Sequence, residues 1–167
     1  MRILWATLLS FSFLSSNLWE RDFDKAKEQA KSEHRYILLN FSGSDWCGPC
    51  IRMHKEIFED AAFTGYSNEH LVLVNADFPR LKKHSLSPDQ QKKNDQLADS
   101  YNKEGKFPLT LLLTADGKIL KTWDGLPPVS AAEFTTQVKA VVDANNGDSL
   151  YSFRCVQKGF EADGQPL

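Results

Sequence analysis

The sequence predicts an α/β domain with one central mixed sheet flanked by helices on both faces. Three observations predict it. Short apolar runs of strand type alternate with longer segments of helical spacing, in the order α-β-α-β-α-β-β-α. A helical segment separates the first two strands, so they should run parallel through a crossover. The last two strands flank Asp116-Gly117, a hairpin signal that adds an antiparallel edge. The 167 residues suffice for one such domain with a full core.

The chain opens on MRILWATLLSFSFLSS. One basic residue, Arg2, precedes a mostly apolar run over residues 3–14. That run is too short to cross a bilayer as a helix and fits the core of a secretory signal peptide. Residues 1–16 are therefore expected to be a signal peptide, with Ser15, Ser16 and Asn17 as the polar cleavage region. No A-x-A pattern marks the cut, and no cysteine follows the core to take a lipid. A hydrophobic N-terminal helix packed on the domain is the competing reading. Export implies a compartment that tolerates disulfides, and a mature domain without stable membrane insertion.

The domain is expected over residues 17–146. ERDFDKAKEQAKSEHR is rich in helix formers, with Phe23, Ala26 and Ala30 on one side. YILLNFS follows as a buried strand. CIRMHKEIFEDAAF returns to helical spacing, with Ile51, His54, Ile57 and Phe58 as its apolar face. HLVLVNAD is the second buried strand. The connection over residues 78–104 is long. It carries a helix that starts with Ser87 as N-cap and Pro88 at the first position, and stops near Gly105. PLTLLLTADGKILKTWDG forms the hairpin. Ser130 caps a last helix that buries Phe134, Val138, Val141 and Val142. Residues 147–167 show little periodicity and read as a partly ordered tail.

Net charge is −2 and no basic run stands out, so nothing points to nucleic acid or an anionic membrane surface. Lys82, Lys83, Lys92 and Lys93 read as a solvated face.

The chemistry concentrates in GSDWCGPCIRM, residues 43–53. Cys47 follows a strand and opens a helix. Unpaired N–H groups and the positive dipole end at a helix start favour a thiolate, and Cys-X-X-Cys pairs lower the thiol pKa. Gly48 and Pro49 make the tight turn, and Pro49 lies in the first helical turn, where a missing N–H costs nothing. Cys50 sits one turn in, less exposed, suited to act second. Three readings stay open on these residues alone: a redox pair, an inert disulfide, and a zinc half-site completed by His54. Zinc needs four ligands, and no second C-x-x-C or H-x-x-H supplies them.

WCGPC on a strand-to-helix turn, with Phe107-Pro108 opening a later strand, resembles the thioredoxin family. DFP after the second strand, LADSYNKEGKFP and LTADGKIL are similar to its bacterial extracytoplasmic, thiol-disulfide interchange and disulfide-isomerase-like branches. The resemblance spans nearly the whole domain. It implies a thioredoxin-like fold and a thiol-disulfide oxidoreductase whose redox-active disulfide Cys47–Cys50 takes the place of any cofactor, with no metal. Cys47 attacks a substrate disulfide and Cys50 resolves the mixed disulfide. Pro108 is implied to be a cis-proline opposite the two cysteines. Trp46, Gly48, Pro49 and Phe107 are implied to contact substrate with it. The implied partners are protein thiols and disulfides and a membrane electron donor, and the implied location is the bacterial periplasm.

Departures from the family pattern matter as much. The family's buried aspartate before the motif falls on Asn40, and the lysine that pairs with it falls on Leu73. Loss of both is sensible, because one buried charge without the other is costly. Proton transfer from Cys50 is then expected to run through water or through Asp45, which is read as exposed in the loop. Cys155 leaves an odd cysteine count, read as a buried small hydrophobe rather than a regulatory partner of Cys47. Gly-Pro between the cysteines favours a reductase. An oxidase or isomerase, and a non-catalytic binding module on the same fold, are the alternatives.

Overall fold

The computed structural model describes residues 19–161, with side chains described to residue 146. The N-terminal apolar segment and the Cys155 side chain lie outside the described residues. Among the described residues no helix is long and apolar enough to cross a membrane.

Helix α1 spans Phe23–Ser32, where the Asp22 carboxylate caps the N–H groups of Asp24 and Lys25. Strand β1 is Tyr36–Ser42. Helix α2, Gly48–Met53, runs directly into a π turn over His54–Phe58. Helix α3, Ala61–His70, restarts on an Asp60 cap and leads into β2, Leu71–Asp77. A 3-10 turn, Lys82–His84, precedes α4, Pro88–Tyr101. The hairpin is β3, Leu109–Leu113, and β4, Ile119–Asp124. Helix α5 covers Ala131–Glu161.

The sheet order is β2-β1-β3-β4. β1 and β2 are parallel, β3 is antiparallel to β1, and β4 is antiparallel to β3. Because strand side chains alternate, β1 divides its residues between two cores. Ile37, Leu39 and Phe41 pack with Ala26, Ala30 and Leu97 under α1 and α4. Leu38 packs on the other face with Met53, Phe63, Phe134 and Val138 from α2, α3 and α5. Helices thus cover both faces, as the alternation predicts. At the outer edge of β2, Glu20 adds one residue of parallel bridge: its N–H donates to Leu73 O at 2.8 Å, and its carbonyl accepts from Asn75 N at 3.1 Å.

Several element readings hold in detail. Ser87 Oγ accepts from Gln90 N, with Pro88 in the first turn of α4. Ser130 Oγ accepts from Glu133 N at the start of α5. Phe134, Val138 and Val142 are buried, with Val141 packed beside them.

Three readings change. The helix after the cysteines is not one run. The π turn inserts extra backbone, and the chain breaks at Glu59-Asp60 before α3. The buried face is accordingly Met53, Ile57 and Phe58, while Ile51 and His54 are exposed. Helix α4 stops at Tyr101, before Gly105, because the Asn102 side chain folds over Lys106: it accepts from Lys106 N and donates to Lys106 O. And α5 passes through Gly147 without a break to Glu161, where the sequence suggests a boundary.

Candidate active site

Cys47 and Cys50 form a disulfide at the start of α2. Cys47 is the N-cap, and its Sγ accepts from Cys50 N at 3.2 Å. Gly48 and Pro49 occupy the first helical positions and lie exposed over the sulfurs. The first turn therefore points its free N–H groups at Cys47, the electrostatics that stabilise a thiolate when the bond opens. In the disulfide form both cysteines are buried, at 5% and 4% exposure. The expected difference in exposure is absent, and Cys47 differs from Cys50 in its place at the helix start.

The loop before Cys47 is fastened from β2. Asp77 accepts from Ser42 Oγ at 3.2 Å, Ser44 N at 2.8 Å and Ser44 Oγ at 2.6 Å. Trp46 donates from Nε1 to Phe78 O at 2.7 Å and meets Phe107 edge-on at 5.4 Å between centroids. The Arg80 guanidinium lies 3.6 Å over the Trp46 ring. Gly43 is needed beneath it, since a Cβ there would overlap the indole. The Phe107–Pro108 bond is cis. Trp46 and Phe107 thus pack against each other, with the cis bond to the buried Pro108 directly after Phe107.

Beneath the disulfide the chain is polar but uncharged. Asn40, 4% exposed, donates from Nδ2 to Asn75 Oδ1 at 3.1 Å and accepts from Thr110 Oγ1 at 3.0 Å. The parallel register sets Asn75 directly beside Asn40. Leu73, expected to face Asn40, instead pairs with Leu38 and joins the apolar core. Two amides and a hydroxyl therefore satisfy one another there. A cavity of about 420 Å³ opens alongside, lined by Asn40, Ser42, Cys50, His54, Glu59 and Asn75 among others.

Asp45 is not exposed: its side chain keeps 3% accessibility. Its oxygens accept from Arg80 N and Leu81 N at 2.9 Å each, and Oδ2 lies 3.0 Å from His84 Nδ1. The Arg80 N–H, with Leu81 N–H and His84 behind it, holds this carboxyl below the usual carboxylate range. A carboxylate so engaged is a weak base, and its geometry is that of a loop anchor. His54 pairs with Glu59 rather than a metal, and among the described residues no group of three or more His, Cys, Asp or Glu could hold a metal ion.

A family model for the thioredoxin-like domain matches residues 23–141. The chain belongs to the thioredoxin-like family. It is 34% identical over 128 residues to the disulfide bond reductase DsbH of Chlamydia pneumoniae, across 77% of this chain and 75% of that protein. Among solved structures, a DsbH oxidoreductase aligns with a TM-score of 0.69 at 33% identity, covering 77% of this chain and 86% of that one. A thioredoxin from Thermus thermophilus shares the fold, with a TM-score of 0.56 at 17% identity over 76% and 88% of the two chains.

A disulfide of CXXC spacing on this fold is the apparatus of a thiol-disulfide oxidoreductase. Asn75, Asp77 and Thr110 were not singled out by the sequence. Parallel pairing of NFS with NAD is the one signal that could have found the first two.

Proposed function

We propose that the protein is an exported disulfide reductase that reduces protein disulfides through Cys47 and Cys50. The observation that carries this reading is the Cys47–Cys50 disulfide at a helix start on a thioredoxin-like fold. The name of the DsbH relative and the intervening Gly-Pro support the direction.

In the reduced protein, the Cys47 thiolate attacks a substrate disulfide. One S–S bond breaks, a mixed disulfide forms, and the departing substrate sulfur takes up a proton. The Cys50 thiol then loses its proton and attacks Cys47 Sγ, which closes the internal disulfide and releases the second substrate thiol. Two electrons pass from the cysteine pair to the substrate. Trp46, Phe107 and Pro108 form the platform on which the substrate strand lies, with Gly48 and Pro49 leaving the sulfurs approachable from one side. A membrane-bound donor returns the electrons outside the cytoplasm, and residues 1–16 direct export to the bacterial periplasm.

Reduction of an insulin-type disulfide with dithiothreitol as donor tests the chemistry. Turnover in wild type and none in Cys47→Ser is expected. No wild-type turnover, or equal turnover in Cys47→Ser, overturns it in favour of a binding module. Cys50→Ser is expected to trap mixed disulfides whose masses name the substrates. Cell fractionation with N-terminal sequencing tests export: an intact N-terminus in the cytoplasm overturns it.

A further inference from the structure

Resolution of the mixed disulfide requires Cys50 to lose a proton while it is buried. The groups beneath it cannot take one: Asn40, Asn75 and Thr110 are neutral amides and a hydroxyl already bonded to one another. Asp45 is anchored to the Arg80–His84 loop. The cavity beside Cys50 leads instead to His54 and Glu59.

These two residues are five apart, and an ordinary helix would keep them apart. At 3.6 residues per turn, side chains five apart are separated by about 140° around the axis, and only positions three and four apart meet. The π turn changes this. Glu59 N donates to His54 O at 3.0 Å, closing the wider loop, and His54 Nδ1 comes to 3.0 Å from Glu59 Oε1. Such turns are rare and frequent at functional sites. This one begins at His54, immediately after the helix that bears the cysteines. Glu59 accepts from Nδ1–H, which leaves the lone pair on Nε2.

The cavity, about 420 Å³, has room for several waters, and the polar side chains of Asn40, Ser42, Asn75, His54 and Glu59 on its wall can hold them. Other charged groups frame the imidazole. Lys55 lies on the same turn, and Glu20, Arg21 and Asp77 border a second cavity that shares His54 and Asn75. Glu59 and Glu20 are its acidic neighbours, and Lys55 and Arg21 its basic ones. Asp77 is occupied by Ser42 and Ser44.

We propose that His54, paired with Glu59 by the π turn, takes the Cys50 proton through the water of this cavity as the mixed disulfide resolves. The Cys50 S–H bond breaks, the Cys50–Cys47 S–S bond forms, the Cys47–substrate S–S bond breaks, and His54 passes the proton to solvent. His54 acts through water and touches no reacting atom, so it is a positioning residue for proton transfer. The proposal rests on the exchange chemistry above.

Release of a chromogenic aryl thiol from a Cys47 mixed disulfide, followed by stopped flow in a single turnover, reads the resolving step directly. His54→Gln is expected to slow that step about tenfold, below the full range of direct general-base catalysis because water intervenes. It is also expected to change the pH profile of that step, and to leave the first attack by Cys47 unchanged. Added imidazole is expected to restore the rate in His54→Ala. Equal resolving rates and pH profiles in wild type and His54→Gln overturn the proposal. So does an equal slowing of both steps that imidazole does not rescue, the mark of a distorted helix. A wild-type protein that attacks but never resolves counts against the exchange chemistry itself, and so separates the two failures.

Discussion

Asp45 Oδ2 lies 3.0 Å from His84 Nδ1, across thirty-nine residues of chain, and ties the segment after β2 to the loop that carries the cysteines. The same carboxylate holds two backbone N–H groups, so one nearly inaccessible side chain fixes the position of Arg80 against Trp46.

Acid should release this anchor. The Asp45 pKa is lowered from 3.8 in the folded protein, chiefly by the Arg80 N–H. A depressed carboxylate adds stability that is present above its unfolded value and lost as pH falls through the folded one. Amide exchange at Arg80 and Leu81 is expected to accelerate only below about pH 4 in wild type, and at all pH values in Asp45→Ala. Unchanged protection in Asp45→Ala would refute the anchoring role.

Asn40→Asp restores a carboxyl to the amide bed without restoring a cation. Burial raises such a group's pKa, so the folded state holds the proton longer than the unfolded state does. Stability is therefore lost as pH rises from the unfolded pKa to the folded one, by about 1.4 kcal/mol per pH unit of separation. Thermal melts should show the variant near wild type at pH 4 and clearly weaker at pH 7. Equal loss at both would mean that packing rather than charge is responsible.

Gly43→Ala drives a methyl group into the Trp46 indole, which its hydrogen bond to Phe78 and its contacts with Phe107 and Arg80 hold in place. A cost of about 1–3 kcal/mol is expected from this overpacking. Turnover should fall with it, and Trp46→Ala in the same chain should recover most of the stability. A neutral melt for Gly43→Ala alone would contradict this packing.

Phe134 is fully buried and meets Phe63, Phe58 and Trp123 at centroid distances of 6.1, 6.2 and 5.0 Å. Phe134→Ala should cost about 3–5 kcal/mol in urea unfolding, since the rings around it close the gap only partly. A loss under about 1 kcal/mol would show that α5 repacks freely on the sheet.

The legibility of these features follows their range along the chain. Capping by Ser87 and Ser130 and the Asp116-Gly117 hairpin depend on neighbours within a few residues, and the parallel first pair of strands on the helical segment between them, so the sequence displays all of these. The cysteine motif is equally local. Asn75 became important only through its register with Asn40, thirty-five residues away. Asp45 looked exposed because its partners, at Arg80, Leu81 and His84, come from a connection whose path no periodicity fixes. The π turn hid for another reason. It preserves helical composition while shifting every later side chain around the axis, which brings Glu59 beside His54. Asp60, a helix cap in mid-segment, was the local sign of that break.

The Glu20 bridge has a consequence for self-association. It occupies donor and acceptor positions on the outer rim of β2, whereas β4 at the opposite rim carries no such cover among the described residues. A sheet formed by joining two copies β4 to β4 would carry this partial cover at each end. A fibril needs both rims of every unit open. A single residue ahead of the first helix thus makes the two rims of the sheet unequal: a strand can add to β2 in full register only by displacing Glu20.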